Sequence, residues 1–410
     1  MIAGQTFARQ EEKSMQYSTR ARLLLAGVVL STLAGPAFAL DGNDLVAKIS
    51  NAISVQSSGS LSAESVAVNG SDVTLTNARF TATSGQPSFP LGTIRLEGVE
   101  ENNGGYTIET ASFDNVDITQ DKTTFTASDI SMSGLVVPSD PTANSLDAVL
   151  LYDEAHIGKM AATIDGKPAF SVDETNLTTE VADDNSSIGF DLQANGIKSD
   201  LSLIEDAKAR EALQQLGIAS LDGKVTMQGS WAPEDGALDV DEYALDFADI
   251  GRLNLTFSIS GYTLDFIKSA NETAKAMEAN PNKEEAQQAA SLAMLGLMQR
   301  LTFNSAEIRF EDAGITKRAL DYAGKSQGTT GEQMAQMLKG MAPMMLAQYN
   351  LPELQNMVSA AVNTYLDNPG SFTISAEPEN GVPFPMVMGA AMGAPDTLPK
   401  VLGIEVTAND

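Results

Sequence analysis

The stretch Val66-Ala-Val-Asn-Gly-Ser-Asp-Val-Thr-Leu75 decides the fold class, because apolar and polar residues alternate on both sides of an Asn-Gly pair. Such alternation is typical of strands that bury one face. Asn-Gly readily adopts the positive φ angles of a type I′ turn, so the sequence predicts a β-hairpin with its turn at Asn69-Gly70. Similar apolar pairs recur as far as Ile130 and Met132. They predict an N-terminal β-rich region over residues 40–140.

A second β-rich region with one helix is predicted over residues 150–266. Its hairpin signals are Asp165-Gly166, Asn195-Gly196 and Asp222-Gly223. The helix is predicted over residues 202–216, because Ser202 is a suitable N-cap and Gly217 a suitable stop.

Residues 267–410 have a third character, in which Ala, Met, Gln and Leu dominate and single strands interrupt the helices. Strands first and helices later are typical of an α+β fold. We therefore expect short antiparallel strands in one or two curved sheets, with a C-terminal helical layer. The helices are predicted over residues 264–279, 283–299, 315–326, 331–349 and 352–367.

The N-terminus resembles a secretory signal peptide. Arg20 and Arg22 precede an apolar run from Leu23 to Ala34, and Ala37-Phe38-Ala39 is a suitable cleavage site. We expect residues 1–39 to be removed, with Met15 as an alternative start, and the mature protein to be periplasmic. No later segment is apolar over the length of a transmembrane helix, so no membrane span is expected after cleavage.

Charge and cysteine usage narrow the function classes. The chain has no Cys, so burial rather than a disulfide framework must stabilise it. Residues 40–410 carry 21 Lys and Arg against 52 Asp and Glu, a net charge of −31, because the first 39 residues hold four basic and two acidic side chains. Phosphate binding requires clustered basic residues, so we expect no nucleic-acid partner.

Catalytic motifs are absent from the sequence. His156 is the only histidine, and neither a Gly-x-Ser-x-Gly elbow nor a phosphate-binding glycine loop occurs. We therefore expect no enzyme, no metal and no cofactor. A hydrolase that uses paired carboxylates is a weaker alternative, because 52 acidic residues form such pairs by chance.

Two sets of apolar residues predict a ligand site. The first is the apolar face of the early strands, and the second is a methionine stripe at helical spacing. Methionines fill irregular cores, but they also line grooves for lipids or partner helices. The predicted ligand-binding residues are Val66, Val68, Val73, Leu75, Ile94, Leu96, Ile108, Phe113, Met334, Met337, Met341 and Met345.

These residues favour a non-enzymatic protein of envelope maintenance that binds an apolar ligand, such as a lipid or acyl chain, in a β groove. Two alternatives stay open. The same residues could form a dry core, or the chain could be an interaction module for an envelope protein. Residues 383–395, rich in Pro, Met, Gly and Ala, would suit a buried plug or a lip over an apolar cavity.

The C-terminal half carries three recognisable segments. They are Phe310-Glu-Asp-Ala-Gly-Ile-Thr-Lys-Arg-Ala-Leu320, Asn368-Pro-Gly-Ser-Phe-Thr-Ile374 and Leu402-Gly-Ile-Glu-Val-Thr-Ala-Asn409. In the first, Asp312 is expected to cap the helix that follows. With these segments the chain resembles a group of uncharacterised exported proteins of alphaproteobacteria, which implies export and supplies no catalytic residue. The many short amphipathic strands are also similar to those of AsmA-type envelope proteins, a similarity that implies lipid traffic between membranes.

Overall fold

Alternating strands dominate the fold. The computed structural model describes residues 40–57, 59–82, 88–142, 145–347 and 351–410, so the predicted signal peptide lies outside the described residues. Within these ranges, 21 strands form one sheet in which every pairing is antiparallel. They are β1 (Gly59–Ser62), β2 (Ser65–Asn69), β3 (Asp72–Ala82), β4 (Phe89–Glu97), β5 (Glu100–Asn102), β6 (Gly105–Phe113), β7 (Val116–Gln120), β8 (Thr123–Ala127), β9 (Ser131–Val137), β10 (Glu154–Ile157), β11 (Met160–Ile164), β12 (Lys167–Val172), β13 (Glu174–Val181), β14 (Ile188–Asp200), β15 (Ser220–Ala232), β16 (Ala237–Phe247), β17 (Gly251–Ser260), β18 (Thr302–Asp312), β19 (Ser371–Ala376), β20 (Val382–Pro383) and β21 (Ile404–Ala408).

Helices are concentrated in the C-terminal part. Those in the described ranges are α1 (Gly42–Ser57), α2 (Ala207–Gln215), α3 (Leu264–Ala279), α4 (Lys283–Met298), α5 (Ile315–Ser326), α6 (Gly331–Ala347), α7 (Pro352–Asp367), α8 (Phe384–Gly393) and α9 (Leu398–Val401). The α+β class is therefore confirmed. None of these helices is long and apolar enough to cross a membrane.

The sheet is a long meander. Its main ladder runs β3–β4–β6–β9–β10–β13–β14–β15–β16–β17–β18–β19–β21, so neighbours in the sheet are mostly neighbours in the chain. A side branch, β7–β8–β11–β12, joins the far end of β14. Antiparallel neighbours can be joined by short connections, so a strand commonly pairs with the strand just before it in the chain. The meander is the result of such pairing.

Close contacts between glycine and aspartate mark bends in this meander. Gly134 and Gly196 have positive φ, and each lies against an aspartate that follows or precedes a neighbouring strand. The amide of Asp153 donates to the Ser133 carbonyl at 2.9 Å, beside Gly134. Gly196 coincides with a register shift in the β14–β15 pairing. An irregular residue of this kind bends a strand and increases its twist.

The main hydrophobic core lies beneath α1. Leu45 and Ile49, one helical turn apart, pack against the first strands of the sheet, as the apolar spacing of α1 requires. Tyr106 is buried there too, and its hydroxyl donates to the Asp44 carboxylate at 2.7 Å. Burial raises the pKa of the Tyr106 hydroxyl, and the hydrogen bond to Asp44 adds to that rise. Helix α1 and strands β2, β3, β4, β6 and β9 therefore form two layers that pack against each other.

The five predicted helices of the C-terminal part are confirmed. Helix α4 ends one residue before its predicted end, and the predicted end of α6 at residue 349 lies outside the described residues. The helix predicted over residues 202–216 is shorter. Asp206 rather than Ser202 caps it, accepting hydrogen bonds from the amides of Lys208 and Ala209. Ser202 instead lies in a single 3₁₀ turn that Asp200 caps. The boundaries at residues 140, 150 and 267 stay predictions.

The hairpin signals have mixed outcomes. The hairpin of β2 and β3 forms as predicted, but its turn is shifted. Val68 pairs with Val73, the two loop residues are Gly70 and Ser71, and only Gly70 has positive φ, as in a type II′ turn. Asp165-Gly166 does form the predicted turn, with both residues at positive φ. The predictions for Asn195-Gly196 and Asp222-Gly223 are wrong, because both pairs lie inside the long strands β14 and β15.

Candidate functional site

The early-strand residues predicted to bind a ligand form the core under α1. Most of them are buried against Leu45 and Ile49, and Val66 and Phe113 pack on the rim of the same cluster. Val68 is the exposed member of the set. Contact of these residues with a ligand stays a prediction. The buried members are Val73, Leu75, Ile94, Leu96 and Ile108.

A row of directly opposed apolar residues runs from this core across the whole sheet. Directly opposed residues of antiparallel strands project from the same face, so the row is one continuous strip. In chain order its members are Val68, Val73, Leu96, Ala111, Met132, Ala155, Leu177, Leu192, Met227, Tyr243, Leu255, Ile308, Ile374 and Val406. We call the part from Leu177 to Ile374, on β13–β19, the central row.

Three further rows flank the central row on the same side of β14–β19. One holds Phe190, Gly229, Val240, Phe257, Ala306 and Ala376, the next Ile188, Trp231, Leu238, Ile259 and Phe303, and the third Ala194, Val225, Leu245, Leu253, Phe310 and Phe372. We call the central row and these flanking rows together the apolar face. None of its members is acidic, basic or a histidine.

The reverse side of the same strands is largely polar. Arg252 pairs with Glu242 there at 2.9 Å, and Arg309 pairs with Asp410 at 2.8 Å. Hydrogen bonding lowers the pKa of the Asp410 carboxyl to about 2, first through Thr407 and then through Arg309. One face of β13–β19 is therefore suited to water and the other is suited to an apolar surface.

The apolar face is only half covered. In the core under α1 the row is buried, but Ile308 in the central row is 46% exposed, and Tyr243 and Ile374 are also exposed. Exposed apolar residues are ordinary when single, whereas a contiguous apolar surface usually marks a binding site. Register shifts in the four successive pairings from β14 to β18 bend these strands, which curves the face.

Helices border the apolar face on three sides. Beyond its N-terminal end lies α1, packed on the continuation of the row. At its C-terminal end the Phe372 ring contacts the Tyr365 ring of α7, with centroids 5.6 Å apart. On one long side the Trp231 indole donates to the Tyr262 carbonyl at 2.8 Å, just before α3. Helices therefore flank the apolar face at both ends and along one long side.

The predicted methionine stripe lies elsewhere. Met334 is buried, whereas Met337, Met341 and Met345 are exposed on α6, which packs against α5 and α7. The structure does not bring this stripe together with the early-strand residues. The apolar face of β13–β19 was missed by the sequence prediction, although alternation such as Leu253, Leu255, Phe257 and Ile259 signals it.

The polar residues singled out in the sequence have structural partners. The His156 Nδ1 atom lies 2.6 Å from the Asn176 Oδ1 atom. Asp312 caps α5 as predicted, accepting hydrogen bonds from the amides of Gly314 and Thr316 at 2.8 Å. Across the described residues, His, Asp and Glu form no group of three that could hold a metal ion.

Comparison with known families adds one finding. Residues 244–409 match a family described as "Uncharacterized protein". The matched segment covers part of β16 and everything from β17 to β21, which includes half of the apolar face. No curated protein matches the chain significantly.

Proposed function

We propose that this chain is a non-enzymatic periplasmic protein of envelope maintenance that binds the acyl chains of a lipid along its apolar face. One observation carries the proposal: the central row is contiguous over seven strands and curved, and three of its members, Tyr243, Ile308 and Ile374, are exposed. Apolar burial contributes roughly 25 cal/mol per Å², so covering such a face with acyl chains is favourable. The periplasmic location is supported by Arg20, Arg22 and the apolar run that follows them.

The dimensions of the apolar face suit more than one acyl chain. Six spacings between seven strands amount to about 29 Å, close to the ~30 Å hydrocarbon core that two lipid leaflets share. Along the strands the four rows span about 20 Å, since the rise per residue is about 3.3 Å and neighbouring rows are about two residues apart. A lipid with two chains therefore fits this face better than a single fatty acid does.

The composition of the face supports binding rather than catalysis. General acid–base and nucleophilic steps need a titratable or nucleophilic group at the reacting atoms. The four rows of the apolar face hold no carboxylate, imidazole or amine, and Tyr243 is their only member with an ionisable side chain. A hydrolase with paired carboxylates would therefore have to work on another surface.

An interaction module for an envelope protein is the second candidate. The exposed residues Met337, Met341 and Met345 on α6 favour it, because flexible thioethers are common on surfaces that bind partner helices. This surface is separate from the central row, so the two functions can be tested independently.

The proposal is tested by native mass spectrometry of residues 40–410, purified without detergent from the periplasm and followed by solvent extraction. A mass excess of several hundred daltons that extracts as lipid is the expected result. A bare polypeptide mass, after purification that retains lipid on a known carrier, would contradict the proposal.

A paired variant locates the ligand. Ile308→Gln with Ile374→Gln keeps side-chain volume but places two amides in the central row, and both positions are exposed enough to tolerate the change. We expect bound lipid to fall at least several-fold, because each unpartnered amide buried under an acyl chain costs about 1–3 kcal/mol. Met344→Gln on α6 is the matched control and should retain the lipid.

A further inference from the structure

Helix α8 has an unusual composition for its position. Residues 380–395 contain no charged side chain, and α8 is apolar on every side. Yet it has no fully buried residue, and Met392 is 88% exposed. A helix that is apolar all round is normally enclosed by protein or by lipid. Here the protein covers the first residue of the helix, Phe384, but leaves residues 391–393 at its C-terminal end exposed.

Helix α4 repeats the feature nearby. Residues 286–299 also lack charge, Leu292 is 71% exposed, and Met294 and Leu295 are exposed beside it. Met277 of α3 lines a shallow surface depression together with Met294 and Leu295. We call Met277, Leu292, Met294, Leu295, Met386 and Met392 the Met-Leu surface.

The helices of the Met-Leu surface share one small core. Phe384, the first residue of α8, packs against a cluster of Phe266, Leu297 and Leu301 from α3, α4 and the start of the next strand. The Phe384 amide also donates to the Leu301 carbonyl at 3.0 Å. The exposed methionines and leucines therefore project from a common base rather than from scattered helices.

This base is continuous with the apolar face. Phe303, in a flanking row of the face, pairs directly with Val382, which lies two residues before the start of α8. The Met-Leu surface thus begins where the flanking row of Ile188, Trp231 and Ile259 ends. An apolar ligand entering from that side would cross apolar side chains throughout.

Charge distinguishes between the occupants that such a surface could take. Two connections at the same ends of the strands are acidic and contain no Lys or Arg: Glu234 and Asp235 join β15 to β16, and Glu377 and Glu379 follow β19. The connection that carries α3 and α4, residues 261–301, holds four basic side chains against five acidic ones, and the whole chain has a net charge of −29. Attraction to anionic headgroups, the usual second signal for peripheral binding, is therefore missing.

We infer that the Met-Leu surface inserts into the interfacial region of a lipid bilayer of low net charge and places the open side of the apolar face against that bilayer. This inference rests on the proposed function, because the insertion gives lipid a route between the membrane and the apolar face. Binding here is driven by apolar area alone, and acidic loops at the same rim keep anionic membranes away.

A fluorescence experiment tests the insertion. The chain has no Cys, so Met392→Cys in residues 40–410 can be labelled at one site with a polarity-sensitive fluorophore. Vesicles of phosphatidylcholine should shift its emission to the blue, and added phosphatidylglycerol should weaken the shift. Met344→Cys on α6, 75% exposed, is the matched control and should not respond.

A flotation assay gives the second readout. Leu292→Asp with Met392→Asp should reduce co-flotation with phosphatidylcholine vesicles about tenfold or more, because two apolar side chains that would enter the bilayer are replaced by carboxylates that stay in water. Met344→Asp should float like the wild type. All three positions are exposed, so the folded state should survive either change.

Several results would overturn the inference. They are no response at position 392, equal responses at 392 and 344, stronger binding to anionic vesicles, or an emission shift that grows with protein concentration without vesicles and so indicates a second copy. Failure of the proposed function looks different: the purified protein would carry no lipid even if it bound vesicles. Failure of this inference alone would leave bound lipid in a protein that ignores vesicles.

Discussion

Gly134 and Gly196 show how single residues shape the sheet. A Cβ atom at either position would lie 2.1 Å from the Oδ2 atom of an aspartate, Asp153 or Asp173 respectively. Both glycines also have positive φ, where a side chain costs about 1–2 kcal/mol. Glycine is therefore required twice over, by backbone conformation and by contact.

We predict that Gly134→Ala destabilises the protein by clearly more than Gly166→Ala does. Gly166 also has positive φ, but no atom lies within 4 Å of its Cβ position, so only the backbone cost of about 1–2 kcal/mol applies. At Gly134 the collision with Asp153 adds to that cost. Urea denaturation of the two variants measures the difference.

Asp153→Ala provides the internal control for this comparison. Combined with Gly134→Ala it should recover part of the lost stability, because the colliding carboxylate is gone while the φ strain persists. Equal losses in Gly134→Ala and Gly166→Ala would show that the bend tolerates a side chain and that the contact is unimportant.

The turn predictions illustrate which residue-scale features sequence can and cannot supply. Asp165-Gly166 was assigned correctly from local φ preferences alone. At Asn69-Gly70 the hairpin was predicted correctly, but the pairing of Asn69 with Asp72 moved the loop to Gly70 and Ser71. Asn195-Gly196 looks the same in sequence, yet Gly196 lies at a bend inside a strand, because β14, which is 13 residues long, pairs with β15 both before and after it.

At the level of whole elements, the helices were the most predictable part of the fold. Their N-caps are local signals, as in Thr263 for α3 and Asn282 for α4. Helix α2 was predicted too long because Ser202 looked like a cap, whereas Asp206 has better cap geometry. Helix α8 was not predicted at all, since a short run rich in Pro, Met, Gly and Ala has no polar face to reveal a period.

Helix α6 makes a clear prediction about the methionine stripe. Met334→Ala should destabilise the protein by about 2–5 kcal/mol, because the Met334 side chain is only 3% exposed and its removal leaves a cavity. Met344→Ala should change stability by no more than about 0.5 kcal/mol, since Met344 is exposed. Thermal unfolding of both variants measures the contrast.

Comparable losses in the two α6 variants would mean that Met344 is covered in solution, by a partner or by a second copy. Chemical oxidation offers a check without substitution. Met344 should be oxidised to the sulfoxide much faster than Met334, because oxidation follows solvent access.

The whole molecule shows why the candidate site could not be placed from sequence. Each strand of β13–β19 displays its own alternation, but a row of residues exists only once the register of every pairing is known. Sequence prediction therefore chose the earliest strands, where alternation is clearest. The sequence does not show that α1, which is only 16 residues long, packs on the early-strand part of the row and leaves the later strands uncovered.

Helix α1 covers the apolar side of the sheet at the early strands but not at the later ones. Residues of one continuous row form core beneath α1 and are exposed at Tyr243, Ile308 and Ile374, while the reverse side of β14–β19 is largely polar. A folded sheet that needed only stability would cover both parts of the row. The apolar ligand that we propose would account for the uncovered part.

Site-specific photo-crosslinking in cells tests this claim most directly. A photoreactive phenylalanine analogue would replace either Leu255, in the central row, or Thr256, which is adjacent in β17 and projects from the reverse side. Because we propose that lipid binds the apolar face, we expect a lipid adduct on the protein crosslinked at position 255 and none at position 256. Adducts at neither position, or equally at both, would contradict lipid binding on the apolar face.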